Sequence, residues 1–340
     1  MADFRDTLML PFLTGALGLP APGERWSVLN ADVLPLPKGI HPSQLNCEQG
    51  LRPKFLKLQE AGYTVEPELS DIKDQDACLV LAHRARAVNE RNMMRGWNSL
   101  KSGGRLVFAG DKNSGVQSIR KWAGKLTDIG GSRSKHHAVV FWLQKEGDNW
   151  SQEVLKKPDS SFLGGDYKLA AGMFSADGPD AGSQVLVEQF NNRISGSVAD
   201  FGAGWGYLSH ELAKNCPGVK KLDLFEADWA SLEAAKSNVG DTKGIAAGFH
   251  WCDLTQEPPK GPYDWVVMNP PFHTGRAAEP DLGKTFIKTA ARVLPAGGRL
   301  LMVANSNLPY EKTLNSLFKK VERLDQKSGF KVLEAVKGSR

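Results

Sequence analysis

Short apolar runs, each entered by an acidic residue, alternate along the chain with stretches whose apolar positions recur at helical spacing. Asp76-Ala-Cys-Leu-Val-Leu-Ala82 reads as a buried strand, 89–100 as an amphipathic helix, and Ser102-Gly-Gly-Arg-Leu-Val-Phe-Ala109 as a Gly-Gly turn into a second strand. The series returns as Asp264-Trp-Val-Val-Met268, a helical pattern over 284–294, and Ala296-Gly-Gly-Arg-Leu-Leu-Met-Val303. Strand, helix, turn and strand are the grammar of an α/β sheet, and the repetition predicts two related α/β domains in tandem. A polar seam rich in Gly and Pro separates the copies. We therefore expect a first domain over 1–145, a linker over 146–171 with the boundary near Ser160, and a second domain over 172–340.

Composition narrows the class. A chain of 340 residues with 41% hydrophobic and 24% charged residues is built like a globular protein of two domains, which excludes collagen-like, coiled-coil and disordered states as the main form. No run approaches the roughly 20 apolar residues of a membrane span. The stretch from Leu8 to Leu19 is broken by Pro11 and two glycines and preceded by Asp3 and Asp6, so it reads as part of the first domain rather than a secretory leader. Cys47, Cys78, Cys216 and Cys252 lie far apart with no C-x-x-C pair, which suits reduced thiols in the cytoplasm and predicts neither disulfides nor a metal site. The net charge is +5, and most of the surplus falls in the first 150 residues. Arg84, Arg86, Arg91, Arg95, Arg120, Lys121, Lys125, Arg133 and Lys135 are candidates there for docking RNA, the alternative being an ordinary solvated face.

Two motifs carry chemistry. In Val198-Ala-Asp200-Phe-Gly202-Ala-Gly204-Trp-Gly206-Tyr-Leu-Ser209 an apolar strand ends in an acid, and three alternate glycines turn the chain into a helix. Glycines let a ligand approach the backbone closely, and a helix start favours a negative group. The spacing G-x-G-x-G is not the dinucleotide fingerprint, which needs glycine where Tyr207 stands. Twenty residues on, the next strand ends in Glu226, placed to accept hydrogen bonds from the ribose of an adenosine. A third strand ends at Cys252-Asp253, where a carboxylate can meet an adenine amino group or simply cap a turn. Three ligand-compatible positions closing three successive strands look like the S-adenosylmethionine pocket of a class I methyltransferase.

The second motif, Asn269-Pro270-Pro271-Phe272-His273, follows the next strand as a stiff loop. A planar amino group is a poor nucleophile because its lone pair is delocalised. The Asn269 side-chain oxygen and the Pro270 carbonyl can accept its two N–H bonds and Phe272 can stack on its ring, which orients the nitrogen for attack on a sulfonium methyl. No strong general base is required. His273 reads equally well as a substrate contact or a loop residue without a role.

With these segments, together with Gly172-Met-Phe-Ser175, Asp180-Ala-Gly-Ser183, Val303-Ala-Asn305, Leu308-Pro-Tyr310 and Phe330-Lys-Val332, the chain resembles the bacterial ribosomal RNA small subunit methyltransferase C family. The resemblance spans most of the C-terminal half and reaches the first domain through Lys101 to Gly115. It implies two tandem Rossmann-like methyltransferase domains. The first is degenerate and supports folding and RNA binding, since it lacks the glycine loop near Val28 to Asp32 and reads Leu81-Ala-His-Arg84 at the second motif. It implies catalytic roles for Asn269, Pro270 and Phe272, and S-adenosylmethionine contacts at Asp200, Gly202, Gly204, Gly206, Glu226, Asp253 and Asn269. The implied partner is small-subunit ribosomal RNA or the small subunit itself, met in the cytoplasm by a monomer, with methyl transfer to a guanine N2 amine. Three alternatives stay open: the sister activity on large-subunit RNA, glutamine methylation of a protein, and a non-catalytic RNA-binding protein.

Overall fold

The apolar runs form the middle strands of two seven-stranded sheets built to one plan. They are seen in a computed structural model that describes residues 3–339 except 156–159, 164–166, 171, 176–177, 241–243, 272, 275–276 and 279. The compact units divide between Asp159 and Ser160.

The first unit carries β1 (Trp26–Leu29), β2 (Leu45–Glu48), β3 (Thr64–Glu66), β4 (Gln75–Leu81), β5 (Leu100–Asp111), β6 (Gly131–Lys135) and β7 (Ala138–Gln144), in the order β3-β2-β1-β4-β5-β7-β6. Its helices are α1 (Phe4–Leu13), α2 (Arg52–Glu60), α3 (Arg86–Ser99) and α4 (Val116–Ala123). The second unit opens with a hairpin of β8 (Ser160–Leu163) and β9 (Tyr167–Ala170). Its sheet contains β10 (Ser195–Phe201), β11 (Gly218–Glu226), β12 (Ala246–Trp251) and β13 (Trp265–Met268). A two-residue pair, β14 (His273–Thr274) and β15 (Ala277–Ala278), stands apart, and β16 (Arg299–Asn305), β17 (Lys320–Lys327) and β18 (Phe330–Val336) complete the sheet. The order is β12-β11-β10-β13-β16-β18-β17, the same as in the first unit. Helices α5 (Ala181–Val187), α6 (Tyr207–Asn215), α7 (Trp229–Val239), α8 (Pro280–Val293) and α9 (Glu311–Leu317) accompany it.

The central strands are parallel and buried on both faces, which is why they read as unbroken apolar runs. Val198, Trp265 and Val267 pack into one core layer, while Ala199, Phe201, Val266 and Met268 pack into the other. The sequence repeat occupies equivalent places. Arg105 stands opposite Ala77 and Gln144, as Arg299 stands opposite Trp265 and Val336.

The 146–171 stretch, expected as a linker, is packed at both ends. The Trp150 ring stacks on Trp97 at 4.8 Å and meets Trp122 edge-on, and its backbone pairs with the Asn98 carboxamide. The β8–β9 hairpin belongs to the second unit: Asn238 bonds both backbone groups of Lys168, and the Tyr167 ring lies 5.0 Å from Trp205. A few aromatic anchors outweigh the polar composition on which the linker reading rested.

Strand register shows what the first unit has lost. Leu29 faces Val80 and Val80 faces Phe108, just as Phe201 faces Met268 and Met268 faces Met302. Val28 pairs with Cys47 as Asp200 pairs with Leu224. Asn30, Gln49 and Leu81 therefore stand where the second unit has Gly202, Glu226 and Asn269. Asn30 keeps the left-handed turn at φ +53. Gln49 donates from its carboxamide to the Ala31 carbonyl and accepts from Leu51 N–H at 2.9 Å, so a neutral amide replaces a carboxylate. The Leu81 side chain is buried and offers no acceptor. Asp32, in the former ligand loop, is held by Arg5 and Lys54.

Candidate functional site

Both chemical motifs lie at the carboxyl edge of the second sheet, where open α/β sheets take ligands. After β10 the chain passes through Gly202, Gly204 and Gly206 at φ +74, +55 and +90, conformations that side chains with a Cβ rarely adopt. The N–H groups of Gly202 and Ala203 both donate to the Phe225 carbonyl, at 2.9 and 3.1 Å, which folds the loop back over β11. A methyl added to Gly204 would meet nothing within 4 Å, so this part of the loop is an open cradle. A methyl on Gly206 would press on Val239 and Ala235 of α7 at 3.0 and 3.1 Å.

Gly206→Ala therefore combines a left-handed backbone with a clash, and should lower stability by about 1–2 kcal/mol from the backbone alone. A thermal melt showing an unshifted second-unit transition would contradict this.

Glu226 closes β11 and ties the loop together. Its Oε2 accepts from Gly204 N–H at 2.8 Å, and Oε1 accepts from Ala227 and Asp228 N–H at 2.8 Å each. Although the residue as a whole is only partly covered, its carboxyl group is enclosed, and that burial pushes its pKa up to about 7 against the pull of the three N–H donors. Asp200 is fully buried at the end of β10. Its Oδ2 accepts from the Ser209 hydroxyl at 2.6 Å, whereas Oδ1 is buried without a hydrogen-bond partner. Burial, reinforced by repulsion from Glu226, lifts Asp200 to about 7 as well. An enclosed acid pair with an orphaned oxygen beside an open glycine cradle fits a ligand bringing hydroxyl groups and positive charge.

Asp253, expected to reach an adenine amino group, turns back on its own loop. Oδ1 accepts from the Thr255 N–H and hydroxyl at 2.9 and 2.6 Å, and Oδ2 accepts from the Gln256 carboxamide at 2.8 Å. These bonds take three of a carboxylate's roughly four acceptor positions.

Asn269 and Pro270 follow the fully buried β13, and the loop runs beside the glycines. A methyl placed on Gly202 would stand 3.9 Å from the Pro271 ring. The Asn269 Nδ2 donates to Asp180 Oδ2 at 2.8 Å and to Ser183 Oγ at 2.9 Å. A carboxylate can only accept, so this contact settles which end of the carboxamide is nitrogen and turns Oδ1 the other way, as an acceptor. Phe272 lies outside the described residues, and so does the His273 side chain. Asp180 and Ser183 had no assigned role in the sequence. They lie more than 80 residues before Asn269, and their only signal was their place in the Asp180-Ala-Gly-Ser183 segment. Cys47, Cys78 and Cys216 are buried free thiols.

Residues 166–334 match the methyltransferase small domain family. The chain is 29% identical over 280 residues to the ribosomal RNA small subunit methyltransferase C of Salmonella newport (strain SL254), covering 81% of this chain and 79% of that protein. It is 28% identical over 283 residues to the protein of the same name from Escherichia coli O81 (strain ED1a), covering 81% and 80%. Among solved structures it is similar to the T. thermophilus 16S rRNA N2 G1207 methyltransferase in complex with AdoMet and guanosine. That likeness has a TM-score of 0.79 and 26% identity, over 98% of this chain and 91% of the other.

Proposed function

We propose, since the chain belongs to the ribosomal RNA small subunit methyltransferase C family, that it transfers a methyl group from S-adenosylmethionine to the exocyclic N2 amine of a guanine in small-subunit ribosomal RNA. Its fold is two tandem Rossmann-like class I methyltransferase domains, the first degenerate. The observation that carries the reading is the Asn269 carboxamide, fixed beside the glycine loop with its acceptor oxygen turned away from Asp180 and Ser183.

When bound, S-adenosylmethionine supplies an electrophilic methyl group on a positively charged sulfur. Gly202, Gly204 and Gly206 give its approach to the backbone, Glu226 accepts from the ribose hydroxyls, and the orphaned Asp200 oxygen supplies a buried acceptor. Asp253 holds one remaining acceptor position for the adenine amino group. On the substrate side, Asn269 Oδ1 and the Pro270 carbonyl accept the two amine N–H bonds. They draw the nitrogen lone pair out of conjugation and aim it for in-line displacement. Phe272 stacks on the guanine. The proton leaves for water after transfer, so no residue serves as a strong base.

Guanine N2 sits on the base's pairing edge, so the target nucleotide must be unpaired or turned out of its stack to reach this loop. We place the reaction in the cytoplasm and the chain as a monomer, its first unit docking RNA through its basic surplus. Among the described residues no helix is long and apolar enough to cross a membrane.

The test is transfer of labelled methyl to ribosomal subunits from cells lacking this protein, followed by digestion to nucleosides. N2-methylguanosine in small-subunit RNA is expected. Label in large-subunit RNA would move the substrate to the sister activity, and label in protein alone would remove the RNA reading.

Cofactor affinity should also fall in acid. Glu226 has a pKa near 7 when free, and hydroxyl donors stabilise its ionised form, so binding lowers that pKa and releases a proton. Below pH 7 affinity therefore drops, by about tenfold between about pH 8 and about pH 6. Calorimetry across that range checks it; a flat profile would show that Glu226 is already ionised in the free protein.

A further inference from the structure

We infer that Asp180 and Ser183 are positioning residues: they lock the polarity of the Asn269 carboxamide and so make the site select a ligand that donates an N–H. The guanine part of this statement rests on the proposed reaction, while the locking of Asn269 does not.

Both partners sit on the first turn of α5. Asp180 is the helix N-cap, and its Oδ2 accepts from Ser183 N–H at 2.9 Å as well as from Asn269 Nδ2. The Ser183 hydroxyl accepts from the same nitrogen. Both amide N–H bonds of Asn269 are thereby occupied by acceptors held on one short, packed element. Val185 and Leu186 anchor that helix in the core. Gly182 leaves no slack between Asp180 and Ser183: an added methyl would come to 2.9 Å from the Phe330 ring and 3.0 Å from the Asp180 carboxylate.

Turning the carboxamide over would set its oxygen against the Asp180 carboxylate, acceptor against acceptor, and leave the nitrogen facing the ligand. The cap therefore excludes the flipped state. Oδ1 is thereby held away from Asp180 and Ser183 before any substrate arrives, so the acceptor is set in advance of the amine. A ligand with an amine pairs this oxygen, and one without it leaves the acceptor unpaired in the complex.

Two readouts on the full-length protein separate the lock from the substrate. The first is the exchange of the Asn269 side-chain NH₂ protons with water, followed by NMR and assigned by their loss in Asn269→Asp. In wild type they should exchange slowly. In Asp180→Ser/Ser183→Ala they should exchange about tenfold faster or more, even though serine still caps the helix. Asp180→Asn keeps both the cap and a carbonyl oxygen for Asn269, and should stay close to wild type.

The second readout is binding of guanosine against inosine, which lacks the 2-amino group, with S-adenosylhomocysteine present. A wild-type preference of about tenfold for guanosine is expected to fall towards parity in the double variant and to survive in Asp180→Asn, with S-adenosylhomocysteine affinity unchanged. Unchanged proton exchange in the double variant would overturn the lock. So would a loss of melting temperature and S-adenosylhomocysteine binding that tracks the loss of preference, since that is what a purely structural cap would give. Slow exchange in wild type without any guanosine preference would uphold the lock and overturn guanine as the amine.

Discussion

Asn269→Ala is expected to lower the rate of methyl transfer by about a hundred- to a thousandfold, or more, while changing S-adenosylmethionine affinity by no more than about threefold. The substitution removes the side-chain acceptor that Asn269 offers to the amine. The Pro270 carbonyl is left alone to orient a nitrogen whose lone pair is conjugated with its ring, and misplacing a reacting atom by about 1 Å is enough for a hundredfold loss. The cofactor residues are built from separate contacts: Glu226 holds Gly204, Ala227 and Asp228, and Asp200 holds Ser209. None of these passes through Asn269. The fold should survive too, because Asp180 still caps α5 through Ser183 N–H. Single-turnover transfer and calorimetric binding, measured on one preparation, give the split. Near-normal transfer in the variant would remove Asn269 from the chemistry. An equal loss of both quantities would make it a cofactor residue only.

The parts of this site that could be read from the chain are those written within a few residues of a strand end. The glycine loop needs left-handed backbone at three alternate positions, and only a run such as Gly202-Ala-Gly204-Trp-Gly206 supplies it. Glu226 and Asn269 could be placed because the apolar run before each announces where its strand stops. The duplication was legible for a similar reason, since both Gly-Gly turns enter strands with the same neighbours in register. Contacts made across long stretches of chain left no such trace. The bonds from Asn269 to Asp180 and Ser183 join elements more than 80 residues apart, and periodicity carries no information at that distance. In the 146–171 stretch one buried tryptophan, Trp150, decides where the first part packs, which a polar average does not show, while the boundary expected near Ser160 is where the units divide. At Asp253 an acid closing a strand is equally suited to a ligand or to its own turn, and only the bonds to Thr255 and Gln256 show how much of it the turn takes.

The first unit supplies an internal precedent for the second large effect. Gln49 occupies the register position of Glu226 and directs its amide nitrogen to the carbonyl of the neighbouring loop, in a unit that has lost its glycines. Glu226→Gln should bring the same arrangement to the second unit, with a donor facing hydroxyl groups that need an acceptor. We expect S-adenosylmethionine affinity to fall about 10- to 100-fold, the range for losing a charge-assisted hydrogen bond. Glu226→Ala should fall at least as far, because it also leaves the N–H groups of Gly204, Ala227 and Asp228 without their acceptor. The glutamine variant carries a second signature that a merely loosened loop would not produce. With position 226 neutral its own titration is gone, while Asp200 stays lifted by burial and loses only the repulsion that Glu226 adds. Binding that was about tenfold weaker at about pH 6 than at about pH 8 should become less dependent on pH. A Glu226→Gln protein that bound weakly yet kept the full pH dependence would assign that titration to Asp200, and would leave Glu226 as a brace for the glycine loop rather than a ligand to the ribose.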